Sequence, residues 1–173
     1  MIVRVTVAEA LARVLASVGV PCIYGIPGGK MTPLLKAVSE AEVPFVGVRH
    51  EASAGLMATA EGMLGPVPAV VVAEQAPGLA NLLAGLGAAF ANGLGVVALT
   101  VSTPRAVAGR GAMMEVDAQA LFRPLVKASY QVMEPRRAAE LVRRALGLRL
   151  IQVHQRMKAA ISIADWKLMA SLS

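Results

Sequence analysis

Phe45-Val46-Gly47-Val48-Arg49-His50-Glu51-Ala52-Ser53-Ala54-Gly55-Leu56-Met57 reads as a short apolar strand that gives way, at Arg49-His50-Glu51, to a helix of small residues. Glu51 therefore stands where a buried strand hands over to a helix. Open α/β sheets bind their ligands outside the carboxyl ends of the strands, so a carboxylate at this junction is well placed for chemistry. Position alone also allows a plainer role, a charge favoured by the helix dipole in a first helical turn. The rest of the chain decides between them.

Upstream, Thr6 and Glu9 have the spacing of a capping box. Val7, Leu11, Val14, Leu15 and Val18 share the face of the helix that follows, and Gly19 offers its stop. Residues 21–26 read as a strand, Pro27-Gly28-Gly29 as a turn, and Leu34, Leu35 and Val38 belong to a second helix. Pro44 opens the strand that runs to Arg49, and the helix from Glu51 continues to about Met63. Downstream, Gly65-Pro66 breaks the chain, and Ala69–Ala73 is an apolar run of the kind buried on both faces. Ala76-Pro77-Gly78 turns into a helix over Leu79–Phe90, and Gly95–Val101 is a further buried strand. Residues 104–127 are less regular, and Ser129–Met133 reads as a strand. Pro135 then suits the first position of a helix with Ala138, Leu141, Val142 and Ala145 on one face and Gly147 at its end. This alternation predicts an α/β domain over residues 1–147, an open parallel sheet with helices on both faces. Leu148–Ser173 has weaker periodicity and reads as a C-terminal tail or one extra helix.

Of the 173 residues 56% are apolar and 16% charged, far from a disordered composition, and the length suits one domain with a sizeable core. With aromatics at 3%, that core is built from Ala, Val, Leu and Met. The single Cys22 allows no internal disulfide and fits a reducing, cytoplasmic compartment. The net charge of +6 sits mostly in residues 134–173, scattered and without aromatic residues for bases to stack on, so nucleic acid is not an expected partner. Arg4, Glu9 and Arg13 interrupt any leader-like apolar run. Gln75–Pro104 carries no charge and is long enough to span a bilayer, but Pro77-Gly78, Asn81 and Asn92 favour a turn, buried helix, loop and strand over a membrane span.

Three loops follow apolar strands: Gly25–Lys30, Arg49–Glu51 and Glu74–Asn81. In a parallel sheet all three emerge at one edge and can converge on one ligand. Gly29-Lys30 fails as a phosphate loop, because Tyr24 stands where the leading Gly belongs and Met31 replaces the Ser or Thr. Two His and one Cys give no metal constellation, and no Ser sits in a Gly-flanked nucleophile turn.

Taken together, Tyr24-Gly25-Ile26-Pro27-Gly28-Gly29, Arg49-His50-Glu51 with Ala54 and Ala58, Pro77-Gly78-Leu79-Ala80-Asn81, Glu115-Val116-Asp117 and Pro124-Leu125-Val126-Lys127 resemble the pyrimidine-binding domain of thiamine-diphosphate enzymes. The nearest group is the acetolactate synthases and 2-oxo acid decarboxylases, and the likeness covers roughly residues 5–147. It implies that Glu51 is catalytic, hydrogen-bonding a ring nitrogen of the cofactor's aminopyrimidine and favouring the tautomer that removes the thiazolium proton. A carboxyl must be neutral to donate that bond, and apolar neighbours such as Val46, Val48, Ala52 and Ala54 favour the neutral form. By the same likeness Pro27, Gly28, Pro77, Gly78 and Asn81 would line the cofactor, while Gly29, His50, Met113 and Met114 would lie on the substrate side. Magnesium and the diphosphate are expected on a domain with a Gly-Asp-Gly motif, which does not occur in these residues. The implied protein is thus the pyrimidine half of a lyase or transferase acting on a small 2-oxo acid, completed by a partner chain or a homodimer. The alternative is an inactive orphan or truncated domain kept as an assembly partner. Departures from the family pattern are Glu74-Gln75-Ala76 before Pro77-Gly78, Asn92 for an aspartate, Gly95 for a proline, and Met113-Met114 for Phe-Gln.

Overall fold

The computed structural model describes residues 4–147, 159–163 and 169–171. In chain order the elements are β1 (Arg4–Thr6), α1 (Val7–Val18), β2 (Ile23–Gly25), α2 (Thr32–Glu40), β3 (Phe45–Gly47), α3 (Glu51–Leu64) and β4 (Ala69–Ala73). There follow α4 (Pro77–Ala91), β5 (Val96–Val101), α5 (Ala118–Phe122), β6 (Ser129–Val132), α6 (Ala138–Gly147), β7 (Ala159–Ile163) and β8 (Met169–Ser171). Short 3-10 turns at Gly29–Met31 and Pro135–Arg137 lead into α2 and α6.

Strands β3-β2-β4-β5-β7-β6 form one sheet in that order, every pair parallel, and β1 pairs antiparallel with β8. Every residue of β4 and β5 is buried. Successive side chains point to opposite faces, so these two strands feed two cores. Val70, Val72, Val97, Leu99 and Val101 pack with α1, α2 and α6, while Ala69, Val71, Ala73, Val96 and Ala98 pack with α3, α4 and α5. The stretch Gln75–Pro104 is a turn, a helix and a central strand, and among the described residues no helix is long and apolar enough to cross a membrane.

The capping box at Thr6 is complete: Glu9 N–H donates to Thr6 Oγ1 at 3.2 Å, and Thr6 N–H to Glu9 Oε2 at 2.7 Å. Gly19 ends α1 with φ +74°, the left-handed cap that glycine adopts without strain. Two expectations change. β3 is not a buried strand but the outer edge of the sheet, with Val46 38% exposed, because only β2 pairs with it. In place of a tail or extra helix over 148–173, Ala159–Ile163 enters the sheet between β5 and β6, and Met169–Ser171 pairs with β1. A short apolar run gives no periodicity that separates strand from helix, so the open place in the sheet decided it. The other residues of that stretch lie outside those described.

The small residues of the second core let α3 and α4 touch backbone to backbone. A Cβ on Gly55 would sit 2.7 Å from Gly85 Cα, and one on Gly85 would sit 2.6 Å from Gly55 Cα. Thr59 Oγ1 donates to the Gly55 carbonyl at 2.7 Å and lies 3.5 Å from that of Gly85. On the other side of α3 the Tyr24 hydroxyl donates to Glu61, and burial pushes the phenol pKa up. Leu56, Met57, Met63 and Leu64 remain exposed on α3.

Two α4 glycines should therefore respond with opposite signs. Gly85→Ala forces the helices apart and should cost about 2–3 kcal/mol. Gly87, with nothing within 4 Å of its Cβ position, should gain about 0.5–1 kcal/mol on substitution by Ala. Urea denaturation of the two variants checks both.

Candidate functional site

Glu51 is the first residue of α3, and His50 caps it: His50 Nδ1 accepts from the Ala52 N–H at 3.2 Å. The Glu51 side chain lies against the first turn of α4, only 8% exposed. Asn81 Nδ2 donates to Glu51 Oε2 at 3.0 Å, and a Cβ at position 78 would stand 3.0 Å from Glu51 Oε1. Glycine at 78 thus leaves the second carboxylate oxygen its clearance. Pro77 opens α4 at a position where its missing N–H has no helical partner to lose. The burial of Glu51 comes from α4, not from Val46, which faces solvent on the edge strand.

Beside this corner the loops after β2, β4 and β5 are tied together. The Glu74 carboxylate fills the space at Gly28, where a Cβ would be 1.5 Å from Oε2, and Glu74 Oε1 accepts from the Lys30 N–H at 3.2 Å. Lys30 Nζ donates to Gln75 Oε1, and Gln75 Nε2 donates to Thr103 Oγ1 at 2.7 Å, with Gln75 2% exposed. Ala76, between this network and Pro77, has φ +48° and ψ −92°, a conformation that L residues seldom hold.

The loop before α5 is organised by Glu115. Its carboxylate accepts from the N–H groups of Gly109 at 2.5 Å and of Gly111 and Ala112 at 3.1 Å. The Gly109 bond is the chief cause that holds the Glu115 pKa below the usual carboxylate value. Met113 and Met114 stand exposed on this loop.

The structure therefore brings Glu51, Gly78 and Asn81 into contact and sets Gly28 against Glu74. Pro27, Gly29 and His50 are exposed, with Pro27 and Gly29 on the loop after β2 and His50 at the start of α3. The Lys30–Gln75–Thr103 chain was missed in the sequence. Its signal was the polar pair Glu74-Gln75 directly after the apolar run Ala69–Ala73.

Comparison with known proteins now settles the family. Residues 5–121 match the thiamine pyrophosphate enzymes, N-terminal TPP binding domain. The chain belongs to that family. Over 138 residues, 80% of the chain, it is 34% identical to a probable acetolactate synthase large subunit of Methanocaldococcus jannaschii and covers 23% of that protein. It is 35% identical over 138 residues to the acetolactate synthase of Bacillus subtilis, again 80% of the chain and 24% of the relative. A sulfoacetaldehyde acetyltransferase of Rhodobacter capsulatus is 29% identical over 143 residues, 83% of the chain and 24% of the relative. The chain thus spans about a quarter of the length of these curated relatives. As an N-terminal thiamine pyrophosphate-binding domain of the acetolactate synthase and 2-oxo acid decarboxylase family, it has its glutamate, proline–glycine turn and asparagine side by side at the carboxyl edge of the sheet.

Ala76→Gly should relieve the left-handed backbone and raise stability by about 1 kcal/mol, read as a higher thermal midpoint. For Glu115 the folded-state value is lowered, so its contribution is complete above the ordinary glutamate value and is lost as pH falls through the lowered one. The amide shifts of Gly109, Gly111 and Ala112 should titrate together below about pH 4.3, and Glu115→Gln should remove that titration.

Proposed function

We propose that this chain is the pyrimidine-binding part of a thiamine-diphosphate-dependent 2-oxo acid decarboxylase or acetolactate synthase-like carboligase. The observation that carries this reading is the Glu51 carboxyl, buried at the start of α3, held on one oxygen by Asn81 and cleared on the other by Gly78. A flat heteroaromatic ring with a nitrogen at its edge fits that clearance, which a side chain at position 78 would close. The bound cofactor supplies an electron sink for the carbanion left when a 2-oxo acid loses carbon dioxide.

In this reading the Glu51 carboxyl, at the start of α3, would hydrogen-bond the ring nitrogen. Asn81 fixes the carboxyl plane, so the bond forms without reorganisation. Pro27, Gly28 and Pro77 line the ring, and Gly29, His50, Met113 and Met114 lie toward the substrate. Magnesium and the diphosphate belong to a separate domain, on a partner chain or a second copy. The exposed Leu56, Met57, Met63 and Leu64 of α3 support such an assembly, since apolar surface of this kind marks interfaces. The single Cys22, free and buried, supports a reducing cytoplasmic setting.

Two observations favour the second reading, an inactive domain kept for assembly: Glu74 fills the space beside Gly28, and Ala76 carries backbone strain at the pocket turn. The test mixes the chain with thiamine diphosphate, magnesium and candidate diphosphate-domain chains, and follows loss of short 2-oxo acids. Glu51→Gln should lower turnover by roughly 100-fold or more with an unchanged thermal midpoint. An unchanged rate would sink the assignment. A complex that forms but never turns over supports the assembly role.

A further inference from the structure

We propose that Gln75 is a positioning residue for the Glu51 corner, its buried amide holding the strained turn at Ala76 and thereby setting where Gly78 and Asn81 stand. Neither hydrogen bond of the Gln75 amide goes to the corner itself, so it acts through the turn. Its importance to the reaction rests on the cofactor reading of Glu51, whereas its hold on the corner does not.

The start of α4 has no side chain of its own to fix it. Helices α1, α3 and α5 each begin at a side chain that accepts an N–H of the first turn, those of Thr6, His50 and Asp117. Helix α4 begins at Ala76, whose methyl group accepts nothing, and Pro77 after it has no N–H to offer. The backbone at Ala76, with φ +48° and ψ −92°, is one that an alanine leaves unless its surroundings hold it. Both contacts of Glu51, the Asn81 amide at 3.0 Å and the clearance over Gly78, lie just beyond this point in the chain. A shift of the turn therefore moves the donor and the open space together.

Gln75 is placed to prevent that shift. It is 2% exposed, and the two ends of its amide are bonded to different loops: Lys30 Nζ donates to Oε1, and Nε2 donates to Thr103 Oγ1 at 2.7 Å. A buried amide that gives up a partner is left short of a hydrogen bond, so the tie resists displacement. Glu74 adds a second tie to the Lys30 N–H at 3.2 Å, but that bond is exposed and water competes for it.

Heteronuclear NMR of the full chain without cofactor tests this, reading the Asn81 side-chain amide signals as the mark of the Glu51 bond. Glu51→Ala supplies the unbonded reference. Gln75→Met keeps the volume, loses both ties, and should move the Asn81 signals toward that reference. Gln75→Glu accepts from Lys30 Nζ and from the Thr103 hydroxyl, and should keep the wild-type signals. Glycine holds a positive φ without strain, so adding Ala76→Gly to Gln75→Met should restore them as well. A lower thermal midpoint with unmoved Asn81 signals, the mark of a merely structural glutamine, overturns the proposal. Failure of Ala76→Gly to restore the signals overturns it too, because the effect then lies outside the turn. Lys30→Met, at the exposed end of the tie, is the milder variant and should move the signals the same way by less; no movement there beside an unfolded Gln75→Met also counts against it. In a reconstituted complex that turns over, Gln75→Met should lower kcat by about tenfold to 100-fold with KM changed less than about twofold, and an unchanged kcat overturns the proposal. A wild-type chain that never turns over counts against the cofactor reading of Glu51, while the Asn81 signals still decide the role of Gln75.

Discussion

Everything at the carboxyl edge of this sheet depends on the place where α3 and α4 meet without side chains. Gly55 and Gly85 bring the two backbones closer than any Cβ would permit. Because both helices follow parallel strands, they run in the same direction, and contact at their middles also brings their first turns together. That is why Gly78 and Asn81 lie against Glu51. The alanines of β4 and β5 on this face serve the same end, since small residues beneath the helices let them settle low on the sheet.

The corner thus formed is rigid on one side and strained on the other. Asn81 and Gly78 belong to a well-packed helix, whereas the turn that delivers them passes through Ala76 at positive φ. The turn is held by the chain from Lys30 through Gln75 to Thr103, which joins the loops after β2, β4 and β5. A strained residue persists only where its surroundings over-determine it, and Gln75, almost wholly buried and bonded at both ends of its amide, does so here.

The match over residues 5–121 ends within α5, so β6, α6, β7 and β8 lie beyond it, yet β6 and β7 complete the sheet. The relatives are named for different activities, as a probable acetolactate synthase large subunit and as a sulfoacetaldehyde acetyltransferase.

Much of this was legible in the chain itself, wherever a signal is local. The Thr6–Glu9 capping box, the Gly19 stop and the unbroken apolar runs of β4 and β5 each report on a few neighbouring residues. Alternation of strand and helix implied a parallel sheet, and a parallel sheet puts the loops of Gly28, Glu51 and Gly78 at one edge. Tertiary structure alone decided what depends on distant segments: β3 at the margin, Ala159–Ile163 between β5 and β6, Glu74 beneath Gly28, and the Gln75 amide between Lys30 and Thr103. The physical reason is that periodicity tells a residue which way to face, while burial depends on what arrives to cover it. Glu51 shows the difference: its address was written at the strand–helix junction, but its shelter came from a helix that begins at Pro77.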